Sequence, residues 1–333
     1  QVVFAVSRSR LFVEINPVTP DPIGTTNITL TGRVIAPQVS IKQVDVQIDG
    51  SSWIPAQIAD TVADELVEEY ACVLPAGSMT DGVHTIVVRA MDIANITGFG
   101  TESFEVDVQT PQVNGIMVRY PTGQLRAKEG DVVTIMVQVQ DNSGIGSVIL
   151  DASGIADGLN QVACVDPDED NVYLAQVTLS DTPMGTELQQ AIMIIVEDKA
   201  GNQGTGTENV FVDNKPPVFT TVNTPLLVYK NGDMLQMIAV LDSGTVSVDF
   251  SGIDSTGSET VAVLAGGTYT INHQIGTANT RPDGSYELKV KARDEAGNIS
   301  WRSTSVLLDN TAPGQLLKAE PSMLRNGDTI VFT

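Results

Sequence analysis

The sequence predicts an all-β chain of tandem Greek-key β-sandwiches arranged as beads on a string. Three observations carry this. First, one pattern returns three times. Asp92 and Asp107, Asp198 and Asp213, and Asp294 and Asp309 are each 15 residues apart, and each second Asp is followed four residues later by Pro111, Pro217 or Pro313. Two matched intervals in three places mark an internal repeat. Second, successive copies lie 106 and 96 residues apart. That is the size of one sandwich, which buries its own core and needs no neighbour to fold. Third, strand signals dominate. Stretches such as "TNITLTGRVI", "HTIVVRAMD", "VVTIMVQVQD", "MLQMIAVLD" and "YELKVKARD" alternate or run with β-branched residues, and Gly, Asp, Asn or Pro punctuates them.

The repeat sets the expected boundaries. Residues 1–11 read as the closing strand of a preceding domain or as an exchanged strand. Domains follow at 12–109, 110–214 and 215–310. Residues 311–333 read as the start of a further domain or again as an exchanged strand, because "PSMLRNGDTIVFT" repeats "TPLLVYKNGDMLQMIAV" at the opening of the third domain. A longer array of the same repeats accounts for both ends, and strand addition between molecules is the other account. Within the first domain "DTVADELVEEY", residues 60–70, reads as a short helix or an acidic loop.

Composition bounds the function. The net charge is −23, with 18 Lys+Arg against 41 Asp+Glu. This excludes nucleic acid as a partner, since phosphate binding needs a basic surface, and it disfavours an anionic membrane surface. It suits cations, and it also suits solubility in an extracellular or high-salt setting. The cysteines Cys72 and Cys164 sit at non-equivalent places in different domains and read as buried small apolar residues. No apolar run approaches 18 residues, so no membrane span is expected in this chain.

The pieces "INPVTPDPIGTTNITLTG", "DKAGN", "DEAGN", "DNKPP" and "DNTAP" resemble the bacterial Ig-like repeats of large secreted adhesins and cell-surface proteins. The resemblance spans all three domains. It is weakest in the first, where "DIAN" and "DVQTP" replace the later motifs. It implies an Ig-like sandwich used as a stalk, spacer, adhesive module or lattice subunit, and no enzymatic activity. Acids at the junctions are similarly arranged in cadherins, where they hold calcium.

Strand direction in such a sandwich brings particular acids to each junction. The AB and EF turns lie beside the following linker, and the BC and FG turns beside the preceding one. One expected set is Glu129, Asp131, Asp213, Asn214, Asp242 and Asp294. The set before it is Asp107, Asp141, Asn142 and Asp198, with Asp21 as a further candidate. The last is Asp233, Asp283, Asp309 and Asn310. Hard oxygen donors in this number suit Ca²⁺, which takes 6–8 oxygens. A bound ion would fix the angle between domains. Turn chemistry is the competing account, since Asp and Asn bond their own backbone and Gly supplies positive φ.

Other constellations carry less. His84 and His273 lack a nucleophile or metal partner at a diagnostic spacing and read as ordinary strand or loop residues. Trp53, Trp301 and Tyr286 read as core packing or a tyrosine-type corner, with a sugar platform second. "GTGT" at 204–207 lacks the strand–loop–helix setting of a phosphate loop.

The expectation is a non-enzymatic extracellular structural protein, part of a surface fibre, stalk, filament or surface layer. Its partners would be copies of itself or neighbouring repeats. An adhesin module binding a surface glycan or protein, with the divergent first domain as recogniser, is the alternative. Spacer domains of a secreted hydrolase are a third reading.

Overall fold

The computed structural model describes residues 10–59, 65–75, 77, 79–180 and 182–314, with the backbone strands Ala319–Glu320 and Val331–Phe332. Among the described residues there is no α-helix. The chain packs as two compact units. One comprises Gln1–Thr122, Glu129–Thr182 and Leu188–Val212, and the other Gly123–Lys128, Pro183–Glu187 and Asp213–Thr333.

The first unit opens with β1 (Phe12–Ile15), β2 (Ile28–Ile35), β3 (Ile41–Ile48), β4 (Ile54–Pro55), β5 (Gln57–Ile58), β6 (Val67–Leu74), β7 (Gly82–Asp92) and β8 (Thr97–Val106). They form two antiparallel sheets, β1-β2-β6-β5 and β4-β3-β7-β8. This is the Ig-like division of a Greek key, with β1, β2 and β6 on one sheet and β3, β7 and β8 on the other. Both sheets feed one core through alternate residues, among them Leu30, Val34, Val44, Val46, Ile86, Val88 and Phe104. Each such side chain contributes ~1.5–3 kcal/mol on burial.

The helix-or-loop reading of 60–70 needs correcting at its end. Residues 60–64 lie outside the described residues, but Val67–Tyr70 opens β6. Its inward positions are Glu68, Tyr70, Cys72 and Leu74. A glutamate on the inward side hides the period of two. Glu68 is nonetheless buried, and its Oε1 accepts the Glu65 amide at 2.7 Å.

The same unit continues with β9 (Gln112–Arg119), β10 (Val132–Gln140), β11 (Ile145–Asp151), β12 (Val162–Ala163), β13 (Val172–Thr178), β14 (Glu187–Asp198) and β15 (Gln203–Asp213), the end residues Glu187 and Asp213 alone falling in the second unit. The sheets are β13-β10-β9 and β12-β11-β14-β15. Val133, Ile135, Val137, Leu150, Ile192, Ile194 and Val210 are buried.

The glycines of "TGFG" and "GTGT" explain themselves here. A Cβ on Gly98 would stand 2.7 Å from the Leu11 carbonyl oxygen, and one on Gly204 would stand 2.0 Å from that of Pro111. Both give passage to backbone entering the sandwich along its last strand.

In the second unit lie β16 (Phe219–Asn223), β17 (Val228–Tyr229), β18 (Met234–Leu241), β19 (Thr245–Asp249), β20 (Glu259–Val261), β21 (Val263–Ala265), β22 (Thr268–Gln274), β23 (Gly284–Arg293) and β24 (Ile299–Leu308). Their sheets are β16-β18-β22-β21 and β17-β24-β23-β19-β20, around one core. β17 pairs parallel with β24, as Ile23 does with Val106 in the first unit. The Tyr286 hydroxyl donates to the Pro282 carbonyl at 2.8 Å, the expected tyrosine corner.

The two tryptophans depart from the expected core packing. Trp301 is 59% exposed. Val306 and Leu308 face inward along β24, so position 301 falls on the outer face, opposite Lys291. Trp53 is half-buried, and the Arg89 guanidinium lies 4.3 Å over its ring. Near the chain's end β25 (Ala319–Glu320) pairs antiparallel with β26 (Val331–Phe332).

Candidate metal centre

Asp92 and Asp198 end β7 and β14, and Asp294 directly follows β23; each begins the tight hairpin to the next strand, β8, β15 or β24. Local chemistry favours an Asp or Asn oxygen there. Asp294 Oδ1 accepts the amides of Ala296 and Asn298, and Gly297 supplies a φ of +77°. Asp198 Oδ1 accepts the Asn202 amide, and Asp92 Oδ1 accepts that of Ile96.

Asn202 then links the hairpin to the incoming chain. Its Nδ2 donates to the Asp107 carbonyl and to Asp198 Oδ2, both at 2.9 Å. Asn298 does the same in the second unit, to the Asp213 carbonyl at 2.8 Å and Asp294 Oδ2 at 3.0 Å. The first repeat has Ile96 at this position and no such clamp.

In the first unit the scaffold gathers three carboxylates. Asp107, Asp141 and Asp198 each offer one oxygen, and these lie within 4.8 Å of one another. Two oxygens held by one Ca²⁺ at 2.3–2.6 Å stand at most about 5 Å apart, so the spread fits one ion. Asp107 and Asp198 are buried, and Asp141 is half-buried. Asp141 Oδ1 accepts the Ser143 amide and hydroxyl, both at 2.8 Å. Asp107 Oδ1 accepts the Gln109 amide at 3.0 Å. Asp107 Oδ2 has no partner, although its residue is only 6% exposed. A buried carboxylate oxygen left bare is costly, and a cation among the three acids would answer it. No ion pair among the described residues joins a Lys or Arg to these three, and Lys199 lies over Gly144. Asn142 and Ser143 line a shallow cleft with Asp107 and Asp81. Asp21 is occupied elsewhere, accepting the Glu105 amide at 2.9 Å.

The other expected sets arrange differently. Asp213, Asp242, Asp294 and Glu187 line a cleft of about 740 Å³ in the second unit, together with Arg126, Lys215 and Arg293. Burial, with Asp294 and Glu187 adding to it, pushes the Asp213 carboxyl above its ordinary value, while the Lys215 amide and the Arg126 guanidinium pull the other way. Asp242 Oδ1 accepts the Val218 amide at 2.8 Å. The Asn214 amide and carbonyl bond Thr186 and Gly185. Glu129 Oε2 accepts the Thr182 amide, and Asp131 also has a partner. Glu129 and Asp131 belong to the first unit and the rest of their expected set to the second. In the last set, Asp283 binds Asn310 and Thr311, Asp309 accepts the Thr311 amide, and Asp233 accepts the Lys230 amide. The Thr311 hydroxyl and Asn310 amide hold Asp283 below its usual value.

One cluster lay outside the sequence reading. Asp166, Asp168 and Asp170 come within 4.8 Å of one another. They are more exposed, and Asp166 is already used by the amides of Asp170 and Asn171. The alternation "DPDED" was the available signal.

Both histidines are built in, beyond the ordinary strand roles expected of them. His84 faces the Asp49 carboxylate at 2.5 Å and the Thr80 carbonyl at 2.7 Å. His273 faces Asp254 at 3.0 Å and stacks on Phe250. Cys72 and Cys164 are buried and free, as expected, and burial pushes the Cys164 thiol up to about 11.

No protein-family model matches the chain, and no curated protein matches it. Solved structures do. One, from a 1.5-MDa bacterial ice-binding adhesin, is 18% identical over 91% of this chain and 99% of its own, with a TM-score of 0.46. A Ca²⁺-stabilized adhesin of an Antarctic bacterium is 16% identical over 91% of this chain and 75% of its own, with a TM-score of 0.48. The I67–I69 fragment of titin is 15% identical over 90% and 99%, with a TM-score of 0.36.

Proposed function

We propose that this chain is a non-enzymatic, load-bearing run of Ig-like repeats from an extracellular surface protein, and that one Ca²⁺ held by Asp107, Asp141 and Asp198 sets its first joint. Neighbouring repeats of the same kind are its partners. The observation that carries the metal reading is the bare, buried Asp107 Oδ2 beside two further carboxylates. The ion would neutralise three like charges brought together by β8, β10 and β14, and so tie the linker after β8 to the two turns of the next sandwich. Asn202 supports this by holding the Asp107 carbonyl and the Asp198 carboxylate in one place. The role is mechanical: sandwich cores bear the load, and the cation limits bending at the joint.

The test is thermal unfolding and small-angle scattering of the chain with calcium and with chelator, beside Asp141→Asn. A ligand at 100 times its Kd stabilises by about 2.7 kcal/mol. Calcium should therefore raise the unfolding temperature and stiffen the wild-type particle, and do neither in the variant. An unchanged wild type removes the calcium reading. The adhesive alternative predicts one unit with an exposed aromatic or acidic cleft unlike the others; in the first sandwich Trp53 is covered by Arg89, while Phe12 and Phe99 are exposed.

A further inference from the structure

Asp213, Asp242 and Asp294 hold in the second unit the repeat positions that Asp107, Asp141 and Asp198 hold in the first. The frame is reproduced, since Asn298 clamps the Asp213 carbonyl and the Asp294 carboxylate as Asn202 clamps their counterparts. The filling is not. Arg126 enters the second cleft, its Nη1 at 2.8 Å from Glu187 Oε1 and its Nε at 3.7 Å from Glu295 Oε2. The Asp213 amide bonds the carbonyl of the next residue, Ala127, at 2.8 Å, which anchors the arginine's segment beside the acids. Lys215 adds a second cation, its ammonium 4.0 Å from Glu187. Asp242 is turned to the Val218 amide. Among the described residues the three equivalent acids do not gather within the 4.8 Å that Asp107, Asp141 and Asp198 share.

We infer that Arg126 is the built-in cation of this second acid set, and that the set binds no divalent ion while the arginine is present. The physics is competition for one volume of negative potential. A guanidinium offers five donors in a fixed fork, pairs carboxylates without dehydrating an ion, and stays charged at every working pH. A calcium ion would have to displace it and leave a cation beside a cation. Two repeats built on one frame thus answer their acids differently, the first with a soluble ion and the second with a side chain. One joint responds to calcium concentration and the other does not. This rests on the calcium reading of the first set.

The experiment is calorimetric titration of the full chain with calcium chloride, comparing stoichiometries. Asp141→Asn should lose one equivalent against wild type, which tests the first set alone. Asp242→Asn, which keeps an oxygen for the Val218 amide, should lose none. Arg126→Gln should gain one equivalent, and Arg126→Gln with Asp242→Asn should return to the wild-type number. Hydrogen exchange over residues 112–212 for Asp141→Asn, and over residues 213–298 for the others, confirms that each variant is folded. A folded Arg126→Gln with no added equivalent overturns the inference, and so does loss of an equivalent in Asp242→Asn. Should Arg126→Gln not fold, Arg126→Met takes its place in the same titration, and loss of an equivalent in Asp242→Asn still overturns the inference. If Asp141→Asn keeps every equivalent while Arg126→Gln gains one, the reading of the first set falls alone.

Discussion

Replacing Asn202 by alanine removes two side-chain hydrogen bonds of 2.9 Å and leaves their acceptors behind. One is the Asp107 carbonyl and the other is Asp198 Oδ2, in residues 6% and 2% exposed. Water has poor access to either. A buried acceptor left bare costs about 1–3 kcal/mol, and more when it is charged, so the pair should cost about 3 kcal/mol. The Asn202 backbone bond to Asp198 Oδ1 survives, which keeps the hairpin itself formed. With a urea dependence of about 1–3 kcal/mol per molar, the first unit should unfold roughly 1–3 M earlier. Hydrogen-exchange mass spectrometry of peptides from β14 and β15 isolates that transition from the second unit's. Asn298→Ala removes the matching bonds to Asp213 and Asp294 and should cost the second unit a similar amount. The two variants part company on calcium. Asn202 orients two of the three proposed ligands, and loss of such a partner typically weakens metal binding about 10–100-fold. Asn298→Ala should leave calcium affinity unchanged. An Asn202→Ala chain with its midpoint shifted by less than the equivalent of about 1 kcal/mol would refute the reasoning, because the acceptors would then be solvated in its absence.

Three further outcomes follow from the geometry. Burial alone would raise the Asp254 carboxyl, but the amides of Thr256 and Gly276, the Thr256 hydroxyl and His273 outweigh it and hold it at about 2. Its depressed value contributes about 2 kcal/mol above pH ~4, lost as pH falls through 2. Asp254→Asn should therefore flatten the acid limb of second-unit stability measured by urea midpoints, and an equally steep limb in both proteins would contradict this. For His84 the sign is opposite. The Thr80 carbonyl raises it against a smaller loss from burial, and Asp49 adds to the rise, so its stabilisation is present below pH 6.5 and lost as pH climbs through the higher folded value. An imidazole proton resonance titrating at or below 6.5 would count against it. Gly204→Ala, whose Cβ would meet the Pro111 carbonyl, should cost at least about 2 kcal/mol by thermal unfolding of the first unit, against a near-neutral Gly115→Ala, where the space is open.

Much of the fold was legible because a sandwich strand writes its burial every second residue. Met234–Leu241 alternates exposed or half-buried with buried positions, as its letters suggest. The hairpin acids were legible too, since only Asp or Asn at those offsets bonds the turn. The failures have physical causes. Glu68 occupies an inward position that pattern reading assigns to an apolar residue. Trp301 is large and apolar, yet its parity along β24 turns it outward. Arg126 carries no motif at all. Its importance comes from Glu187 and Glu295, 61 and 169 residues away in sequence, and no local pattern encodes such a meeting. The histidine–aspartate pairs escaped for the same reason.

Turn chemistry and metal binding looked like rival accounts of the second aspartate in each repeat, and the atoms divide the matter between them. Asp107 Oδ1 accepts the amide of Gln109, Asp213 Oδ1 that of Lys215, and Asp309 Oδ1 that of Thr311. All three are the same bond to the residue two places on, so the turn alone explains why every repeat keeps an acid there. It uses one oxygen. The other is free to differ with its surroundings. At Asp107 it is buried, bare and near two carboxylates. At Asp213 it shares a cleft with Arg126 and Lys215. At Asp309 the neighbouring Asn310 and Thr311 engage Asp283 instead. On the proposed reading, cation binding is a property of what the second oxygen faces, and the repeat supplies only the position. On the same reading, a chain of such repeats is tuned joint by joint, with a single arginine delivered from a loop taking the place that an ion would hold in another repeat.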